Sequence, residues 1–464
     1  MADPLWTSEE IARATGGVEG GRFSATGVSI DTRTLEPGDL FVALAGVRDG
    51  HEFVQTAMGK GAAGALVSQD VAGPGVKVAD TLAALEQLGV AARTRAAQAR
   101  RGAVTGSVGK TSVTQAIMAG LTLAGPAHSS VKSYNNHIGV PLTLARMPAG
   151  TERAVFEIGM NHADEIRPLT KMVRPHAVVV TTVGPVHTEG FADGEIGVAR
   201  AKAEIFEGLE AGGVAVLNAD NRWFDLLQAE ALKAGATLRT FGRAEDCDAR
   251  LIDFQADHGH AVVQARLHGQ ALDFPLLQTG LHWGLNSLAV LLMLEALDVG
   301  LSDGLAALGS FEPLAGRGAE TAVALKAGAF TLIDESYNAN PVSMASAIAT
   351  LGARKVAGRR IVALTDMLEL GPDEAAFHAG LAAPLEAASI DLVFCAGPAM
   401  KSLWDALPPT RRGGYAQTAE ALAPKLAQAI EAGDVVMVKG SNGSKAGLVA
   451  RALSTLGDPT GEAG

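Results

Sequence analysis

The residues best suited to chemistry lie in a glycine-rich turn between an apolar stretch and a helical one. Residues 103–112 read AVTGSVGKTS, and an amphipathic run over 113–123 follows them. This order predicts a strand, a loop and a helix. Glycines let the backbone N–H groups of such a loop turn toward a phosphate, and the start of a helix favours negative charge. The stretch therefore predicts a site for the phosphates of a nucleotide.

Two side chains of this loop have defined roles in that interpretation. Lys110 would contact the β- and γ-phosphates, and the hydroxyl of Thr111 would bind Mg²⁺. The spacing Gly-x-x-Gly-Lys-Thr is shorter than the common phosphate loop, and Val104 stands where its first glycine would be. The alternative is a glycine turn that only opens a helix, but the predicted strand-to-helix junction favours the phosphate site. We expect the nucleotide to contact Gly106, Ser107, Val108, Gly109, Lys110, Thr111 and Ser112.

Length and pattern predict the elements that hold this loop. The 464 residues are too many for one compact core. Alternating strands and helices predict an α/β fold of three domains. Residues 1–98 would form a small N-terminal α/β domain, 99–314 a central P-loop domain with a doubly wound, mostly parallel sheet, and 315–464 a C-terminal Rossmann-like α/β domain. The predicted strands are 28–33, 39–44, 65–68, 154–158, 177–182, 214–217, 238–241, 330–334, 361–365, 392–395 and 435–438.

Charge and cysteine content exclude several classes of protein. The chain carries 38 basic and 50 acidic side chains, a net charge of -12. An acidic protein is a poor candidate for sequence-independent binding of nucleic acid, so we expect no nucleic-acid partner. Cys247 and Cys395 are the only cysteines. Two distant cysteines argue against a disulfide framework or a cysteine zinc site.

The same reasoning predicts a cytoplasmic location. The N-terminus has neither the basic segment nor the apolar core of a signal peptide. The apolar run over 288–294 is too short to span a bilayer, so we expect no membrane segment.

Polar residues at predicted strand ends are the next candidates, because ligands of parallel sheets lie beyond the carboxyl ends of the strands. Glu157 ends one central strand and His187 follows another. A lone residue at such a position is often structural, but two of them in one phosphate-loop domain favour Mg²⁺ ligands. Lys202 lies in a helical stretch, where a solvated lysine is the simplest interpretation.

Strand-end loops in the other two domains also carry polar side chains. In the N-terminal domain these are Asp31, Thr32, Arg33, Arg48 and His51, for which turn chemistry alone is a sufficient explanation. In the C-terminal domain, residues 334–341 read DESYNANP after the first predicted strand, and 439–445 read KGSNGSK after the last. Both loops stand where a ligand would be met.

Taken together, several motifs resemble the Mur ligase family, the ATP-dependent amide-forming enzymes of peptidoglycan precursor synthesis. The resemblance covers essentially the whole chain. Residues 105–111 resemble the family's short phosphate loop, and 133–141, SYNNHIGVP, its Asn-Asn-x-Ile-Gly segment with Asn136. The resemblance implies metal ligands at Thr111, Glu157 and His187, and a carbamylated, metal-binding lysine at Lys202. It implies nucleotide contacts at Asn286, four residues after His282, at Arg317 in the linker and at Asp334.

Within the family, residues 336–344, SYNANPVSM, are similar to the members that add D-alanyl-D-alanine. The implied partners are the UDP-MurNAc-tripeptide and D-Ala-D-Ala, and we expect a monomer. The UDP-sugar would bind the N-terminal domain at Asp31, Thr32, Arg33, Arg48 and His51, and the remaining substrate contacts would be Asn136, Tyr337, Asn338 and Asn340. The chain departs from the family pattern at Thr182, Trp283, Thr365 and Asn442, the last within the C-terminal substrate loop.

The resemblance implies a two-step reaction. ATP phosphorylates the carboxylate of the tripeptide, and the amine of D-Ala-D-Ala then attacks the acyl phosphate, from which phosphate leaves. Lys110, His187 and Lys202 would be the catalytic residues, with two Mg²⁺ ions. Thr111 and Glu157 would hold one ion, and His187 and the carbamate on Lys202 the other.

Other functions remain open at this point. A related ligase could add a diamino acid or glutamates, but the Asp-Asn-Pro-Arg signature of the diamino-acid-adding members is absent from the sequence. A non-ligase P-loop ATPase would release phosphate without an amine acceptor. A nucleotide-sugar-binding module would not bind ATP.

Overall fold

The computed structural model describes residues 4–131, 133–185, 190–257 and 259–457. Within these ranges the strands form one main sheet in each of three consecutive α/β units, together with a short two-stranded ribbon. The predicted class, mixed α/β with mostly parallel sheets, is confirmed. Among the described residues, no helix combines the length and apolar content needed to cross a bilayer.

The N-terminal unit consists of short elements. They are β1 (Trp6–Thr7), α1 (Ser8–Thr15), β2 (Val18–Glu19), β3 (Ser24–Ala25), β4 (Gly27–Ser29), β5 (Asp39–Val42), a 3-10 turn (Gly50–Phe53), α2 (Val54–Gly59), β6 (Gly64–Val67), β7 (Gly75–Lys77) and α3 (Thr81–Arg95). The sheet order is β2-β7-β6-β5-β4, and β2 is antiparallel to β7. Thr7 and Glu10 form the capping box that begins α1.

The central unit surrounds the glycine-rich loop. Its elements are β8 (Arg100–Thr105), α4 (Lys110–Ala124), β9 (Ala127–Ser129), α5 (Gly139–Ala145), β10 (Arg153–Glu157), α6 (Ile166–Val173), β11 (Ala177–Val180), α7 (Glu195–Ala203), a 3-10 turn (Glu204–Gly208), β12 (Val214–Asn218), α8 (Phe224–Lys233), β13 (Thr237–Gly242), β14 (Ala249–Asp257), β15 (His260–Leu267), β16 (Gln270–Leu276), α9 (Trp283–Ala296) and α10 (Leu301–Ser310). The sheet order is β16-β15-β14-β13-β12-β11-β8-β10-β9.

The register of this sheet brings the predicted chemistry to one edge. Strand β8 lies between β10 and β11, parallel to both, and Val104 is level with Glu157 and Val179. The loop after β8 therefore begins where β10 ends at Glu157. Apolar side chains alternate between the two faces of β8, so Val104 packs in one core and Ala103 in the other.

The C-terminal unit has the second predicted parallel sheet. Its elements are β17 (Ala319–Leu325), β18 (Gly328–Glu335), α11 (Pro341–Ala353), β19 (Arg360–Thr365), a 3-10 turn (Gly371–Asp373), α12 (Glu374–Ala379), α13 (Ala382–Ala387), β20 (Leu392–Ala396), α14 (Met400–Ala406), a 3-10 turn (Pro409–Arg411), β21 (Arg412–Ala416), α15 (Ala419–Ala429), β22 (Val435–Lys439), a 3-10 turn (Asn442–Ser444) and α16 (Ala446–Ser454). The order is β17-β18-β22-β19-β20-β21, with β17 antiparallel to β18.

The structure adds strands that the sequence interpretation did not include. β14, β15 and β16 form an antiparallel meander at one edge of the central sheet, and β17 and β21 complete the C-terminal sheet.

The predicted boundary at residue 98 runs alongside a shared apolar core. Leu85 and Leu88 of α3 pack in one cluster with Leu142 and Ala145 of α5. Trp6 lies in the same cluster and donates from its indole N–H to the backbone oxygen of Ala145 at 2.8 Å. The N-terminal unit is therefore attached to the central unit by continuous packing.

Candidate functional site

The largest set of predicted site residues meets in a cleft between the central and C-terminal units. The cleft has a volume of about 430 Å³. Its walls include the glycine-rich loop, the end of β10, the start of α9 and the loop between β18 and α11. The polar residues that line it include Ser107, Lys110, Thr111, Ser133, Asn135, Glu157, Asn286, Arg317, Glu335, Tyr337, Asn338, Asn340 and Lys439.

The glycine-rich loop has the shape of a phosphate cradle. Gly106 has φ +149° and Gly109 has φ +89°, which non-glycine residues rarely adopt. A Cβ on Gly106 would lie 1.9 Å from the hydroxyl of Thr181, so no side chain fits there. The Lys110 ammonium donates to the backbone oxygen of Gly106 at 2.7 Å. Burial and the charge of Arg317 lower the pKa of Lys110, and the carboxylate of Glu157 opposes that shift.

Glu157 has the surroundings of a metal ligand. Its side chain is buried, and Oε1 accepts from Nδ2 of Asn135 at 2.6 Å. Oε2 has no hydrogen-bond partner within the described part of the chain, although it is buried. A carboxylate oxygen in that state is costly unless a cation meets it. The residues present therefore fit a Mg²⁺ ion between Glu157 and the loop.

Lys202 is not the solvated residue of the simplest interpretation. Only 1% of its surface is exposed. Burial and, secondarily, the charge of Lys110 lower the pKa of Lys202 well below its usual value. This shift favours the neutral amine, which is the form that can accept CO₂ to become a carbamate.

A chain of polar contacts joins the loop to the C-terminal unit. Nη2 of Arg317 donates to the Thr111 hydroxyl at 3.1 Å, and that hydroxyl lies 3.2 Å from the hydroxyl of Ser133. The Ser133 hydroxyl lies 3.0 Å from the phenol oxygen of Tyr337. The guanidinium of Arg317 also packs over the Tyr337 ring, 4.2 Å from its centre. Ser133 was not among the predicted site residues.

The start of α9 supplies the next wall. Asn286 is 8% exposed, and its amide would lie 3.3 Å from a Cβ on Gly109, so it closes the far side of the loop. His282 is also part of the cleft lining, and burial lowers its pKa, while Glu335 raises it and Lys439 lowers it further.

The two acidic residues at the end of β18, Asp334 and Glu335, have different surroundings. Asp334 accepts the backbone N–H of Ser336 at 3.0 Å and does not belong to the cleft lining, whereas Glu335 does. Neighbouring residues of a strand point to opposite faces, which explains the difference. Glu335, and not Asp334, is therefore the acidic residue of this pair that lines the cleft. Lys439, 2% exposed, lies 3.3 Å from Oε2 of Glu335.

The loop after β18 contains the three predicted acceptor residues. Tyr337 is 37% exposed, and the backbone oxygen of Asn338 accepts from Lys439 at 3.0 Å. Asn340 is buried, and its side chain accepts the backbone N–H of Ser343 to begin α11. Asn340 is therefore partly used in capping, and Oδ1 of Asn338 accepts the backbone N–H of Ala339 at 2.9 Å. The amide NH₂ of Asn338 and the phenol of Tyr337 can meet a ligand in the cleft that both residues line.

The N-terminal candidates lie apart from this cleft. Arg33 forms a two-pronged ion pair with Asp31, 2.6 Å at its shortest, and the backbone oxygen of Thr32 accepts from Lys60. Arg48 lies 3.5 Å from Glu52 and over the ring of Phe53. His51 is held on both ring nitrogens, by Asp49 at 2.6 Å and by the backbone N–H of Ser68 at 2.8 Å.

Two further predicted residues, Asn136 and Lys202, do not line the cleft. The side chain of Asn136 accepts the backbone N–H groups of Ile138 and Gly139 in the turn that leads into α5. Its neighbour Asn135 is the one beside Glu157. His187 lies outside the described residues. Among those described, no three His, Cys, Asp or Glu side chains converge as a metal site.

Comparisons with known proteins agree with this geometry. Residues 104–294 match the model of the Mur ligase middle domain, and residues 322–442 match that of the Mur ligase glutamate ligase domain. The UDP-N-acetylmuramoyl-tripeptide–D-alanyl-D-alanine ligase of Escherichia coli is 34% identical over 463 residues, covering 95% of this chain and 96% of that protein.

Solved structures give the same result. The crystal structure of MurF from Acinetobacter baumannii superposes with a TM-score of 0.85 at 26% identity, covering 97% of this chain and 98% of that one. MurF of Thermotoga maritima, solved in complex with ADP, shares the fold with a TM-score of 0.77 at 22% identity, covering 93% and 97%. The chain therefore belongs to the Mur ligase family and groups with its UDP-N-acetylmuramoyl-tripeptide–D-alanyl-D-alanine ligases.

Proposed function

We propose that this protein joins D-alanyl-D-alanine to the UDP-MurNAc-tripeptide at the expense of ATP, through an acyl phosphate. The observation that carries the proposal is the cleft, in which the phosphate loop, the buried Glu157 and the SYNANP loop of the C-terminal unit meet. The first two suit a nucleotide and a metal, and the third suits a polar acceptor. The relatives named above, similar over nearly the whole chain, support the same reaction.

The first step transfers the γ-phosphoryl group of ATP to the terminal carboxylate of the tripeptide. Such transfers need mainly positioning and neutralisation of charge. Lys110 and the backbone N–H groups of residues 107–112 supply both at the phosphates, and Asn286 and Glu335 line the rest of the nucleotide's path. Arg317 lies close enough to turn from Thr111 to a phosphate oxygen.

Thr111, Glu157, His187 and a carbamate on Lys202 are the residues that would hold Mg²⁺ in this proposal. Bound there, Mg²⁺ supplies positive charge to the transferred phosphoryl group and the acyl oxygen. The buried Oε2 of Glu157, which has no hydrogen-bond partner among the described residues, and the buried amine of Lys202, whose pKa is lowered, support these two assignments. A carbamate would convert Lys202 into an oxygen ligand, which suits a hard cation.

In the second step the amine of D-Ala-D-Ala attacks the acyl phosphate and phosphate leaves. Tyr337 and Asn338 offer hydrogen-bond donors and acceptors to the dipeptide. The acyl phosphate is open to hydrolysis, so closure of the C-terminal unit over the loop would protect it. The UDP moiety is assigned to the N-terminal unit, with Arg48 as the cation best placed for the diphosphate. We also propose that the protein acts as a monomer in the cytoplasm.

Product analysis tests this proposal directly. The protein is incubated with UDP-MurNAc-tripeptide, D-Ala-D-Ala, Mg²⁺ and ATP, and the nucleotide products are identified by mass spectrometry. We expect UDP-MurNAc-pentapeptide with ADP and phosphate in equal amounts. Phosphate release that does not depend on the dipeptide would instead indicate a non-ligase ATPase. Ligation of a diamino acid to the UDP-dipeptide would identify the other branch of the family.

A further inference from the structure

The hydroxyl groups of Thr111, Ser133 and Tyr337 form a continuous chain of contacts. It runs from the glycine-rich loop to the loop between β18 and α11. The oxygen of Ser133 lies 3.2 Å from that of Thr111 and 3.0 Å from that of Tyr337. Thr111 and Tyr337 belong to different units and are far apart in sequence, and Ser133 is the side chain between them. The direction in which each hydrogen points decides what Tyr337 offers to a ligand.

Arg317 sets that direction at one end of the chain. A guanidinium can only donate, so the Thr111 oxygen accepts from Arg317 at 3.1 Å. The single hydrogen of Thr111 must then go elsewhere. Among the described residues, Ser133 is the remaining hydrogen-bond partner of the Thr111 hydroxyl. Thr111 is buried, and a buried hydroxyl that does not donate would cost about 1–3 kcal/mol, so Thr111 donates to Ser133.

The hydroxyl of Ser133 also has one hydrogen to donate. Ser133 accepts from Thr111, and Tyr337 is its other partner within the described ranges, so the hydrogen of Ser133 points to the oxygen of Tyr337. The phenol hydrogen of Tyr337 then has no acceptor among the described residues and can point into the cleft, which Tyr337 lines. The order of donation runs from Arg317 through Thr111 and Ser133 to Tyr337.

We propose that Ser133 is a positioning residue that fixes Tyr337 as a hydrogen-bond donor to an oxygen of the bound substrate, through this three-hydroxyl relay. The proposal rests on the proposed function, because it takes Thr111 as the metal ligand. The direction is the same whether the lone pair of Thr111 faces the guanidinium or a metal ion, since either leaves its hydrogen for Ser133. A stronger cation at Thr111 would make each hydroxyl a better donor, because hydrogen bonds in a chain polarise one another.

A tyrosine label reads this relay without an activity assay. The chain has only three tyrosines, so protein labelled with ¹³C at the tyrosine ζ-carbon gives three resonances, and Tyr337→Phe assigns the relevant one. Mg²⁺ and ADP are added to the wild type, to Ser133→Ala and to Ser133→Thr, which keeps a hydroxyl. Calorimetry on the same samples measures the affinity for Mg²⁺–ADP.

We expect the Tyr337 resonance to move on addition of Mg²⁺–ADP in the wild type and in Ser133→Thr, and to move by less than half as much in Ser133→Ala. An equal movement in Ser133→Ala would overturn the relay, because movement of the whole unit would then explain it. So would a wild type that binds Mg²⁺–ADP by calorimetry with no movement at all. A wild type that does not bind Mg²⁺–ADP would refute the proposed function and the relay together.

Discussion

Asn135 donates to Glu157 at 2.6 Å, whereas the adjacent Asn136 accepts backbone N–H groups in the turn before α5, so two neighbouring amides have separate roles. The Asn135 contact fixes one carboxylate oxygen and leaves the other for a cation. Losing an outer contact of this kind typically weakens metal binding about 10- to 100-fold. We expect Asn135→Ala to raise the Mg²⁺ concentration needed for half-maximal ADP binding by about tenfold, as measured by calorimetry.

Asn136→Ala is the matched control for that measurement. It removes two hydrogen bonds to backbone N–H groups at the start of α5, which costs about 0.5–2 kcal/mol of stability. Its midpoint of thermal unfolding should fall while its Mg²⁺ dependence stays that of the wild type. Equal Mg²⁺ dependence in the two variants would show that Asn135 does not position a metal ligand.

Lys110→Ala tests the phosphate loop. Removing a donor that stabilises charge in the transition state typically costs about 10²–10³ in rate. We expect a loss of that size in ligation, with unchanged circular dichroism. Lys401→Ala, which removes a surface lysine paired with Asp405, is the control and should keep full activity. Normal turnover in Lys110→Ala would refute the assignment of the loop.

The buried amine of Lys202 should lower the stability of the folded protein while being required for activity. The pKa of Lys202 is lowered in the folded protein, so the folded state binds fewer protons than the unfolded state, and this group opposes folding increasingly as the pH falls below its unfolded value of about 10.4. Lys202→Met replaces the buried amine with an apolar group of similar length. We expect it to stabilise the protein by about 1–3 kcal/mol at pH 7 in CO₂-free buffer, measured by urea unfolding.

Activity gives the second half of that test. Lys202→Met should be inactive, and Lys202→Ala, which leaves a space, should recover partial activity with formate or acetate. A fully active Lys202→Ala would show that the lysine is not a metal ligand.

Arg48 and Arg33 should differ in their contribution to UDP-sugar binding. Arg33 is already paired with two oxygens of Asp31, whereas Arg48 lies 3.5 Å from Glu52 and packs over the ring of Phe53. A charge-assisted hydrogen bond contributes about 1.5–3 kcal/mol. We expect Arg48→Ala to weaken the affinity for the UDP-sugar at least tenfold and Arg33→Ala to weaken it less. Arg13→Ala is the control and should leave this affinity unchanged. Unchanged affinity in Arg48→Ala, measured by calorimetry, would remove Arg48 from the site.

Asn338→Ala should act on the acceptor. The substitution removes the contact of Oδ1 with the backbone N–H of Ala339, but the hydrogen bond from Lys439 to the backbone oxygen of residue 338 still holds the loop. We expect the KM for D-Ala-D-Ala to rise about tenfold and the KM for ATP to stay within twofold, with L-Ala-L-Ala a poor substrate of both forms. Phosphate release at saturating UDP-tripeptide provides the measurement. Equal effects on both KM values would place Asn338 with the nucleotide.

The sequence predicted those parts of the molecule that depend on local pattern. Strand β8, the loop over 106–109 and helix α4 follow from an apolar run, glycines and an amphipathic segment, and all three are confirmed. The meander was missed because its buried face in β15 alternates valine and leucine with alanine, at Ala261 and Ala265, which gives a weak period of two.

Other features depend on contacts that no local pattern contains. Glu335 rather than Asp334 faces the cleft because of the register in which β18 pairs with β22, where Glu335 is level with Lys439. The contact of Ser133 with Tyr337 joins residues 204 positions apart. Whether Asn135 or Asn136 meets Glu157 depends on the turn before α5. In each case the sequence indicated which residue types could take part, but only the folded structure shows which residues they contact.

The packing of α3 on α5 limits how this protein can be recombined. Leu142 and Ala145, which share a core with Trp6, Leu85 and Leu88, lie on the helix that begins three residues after Asn136. A chimera that exchanges residues 1–98 for those of a relative must therefore match the surface of α5 or misplace the turn that carries Asn135. The N-terminal unit and the turn that places Asn135 beside Glu157 therefore rest on one shared core, and a change in either must fit the other.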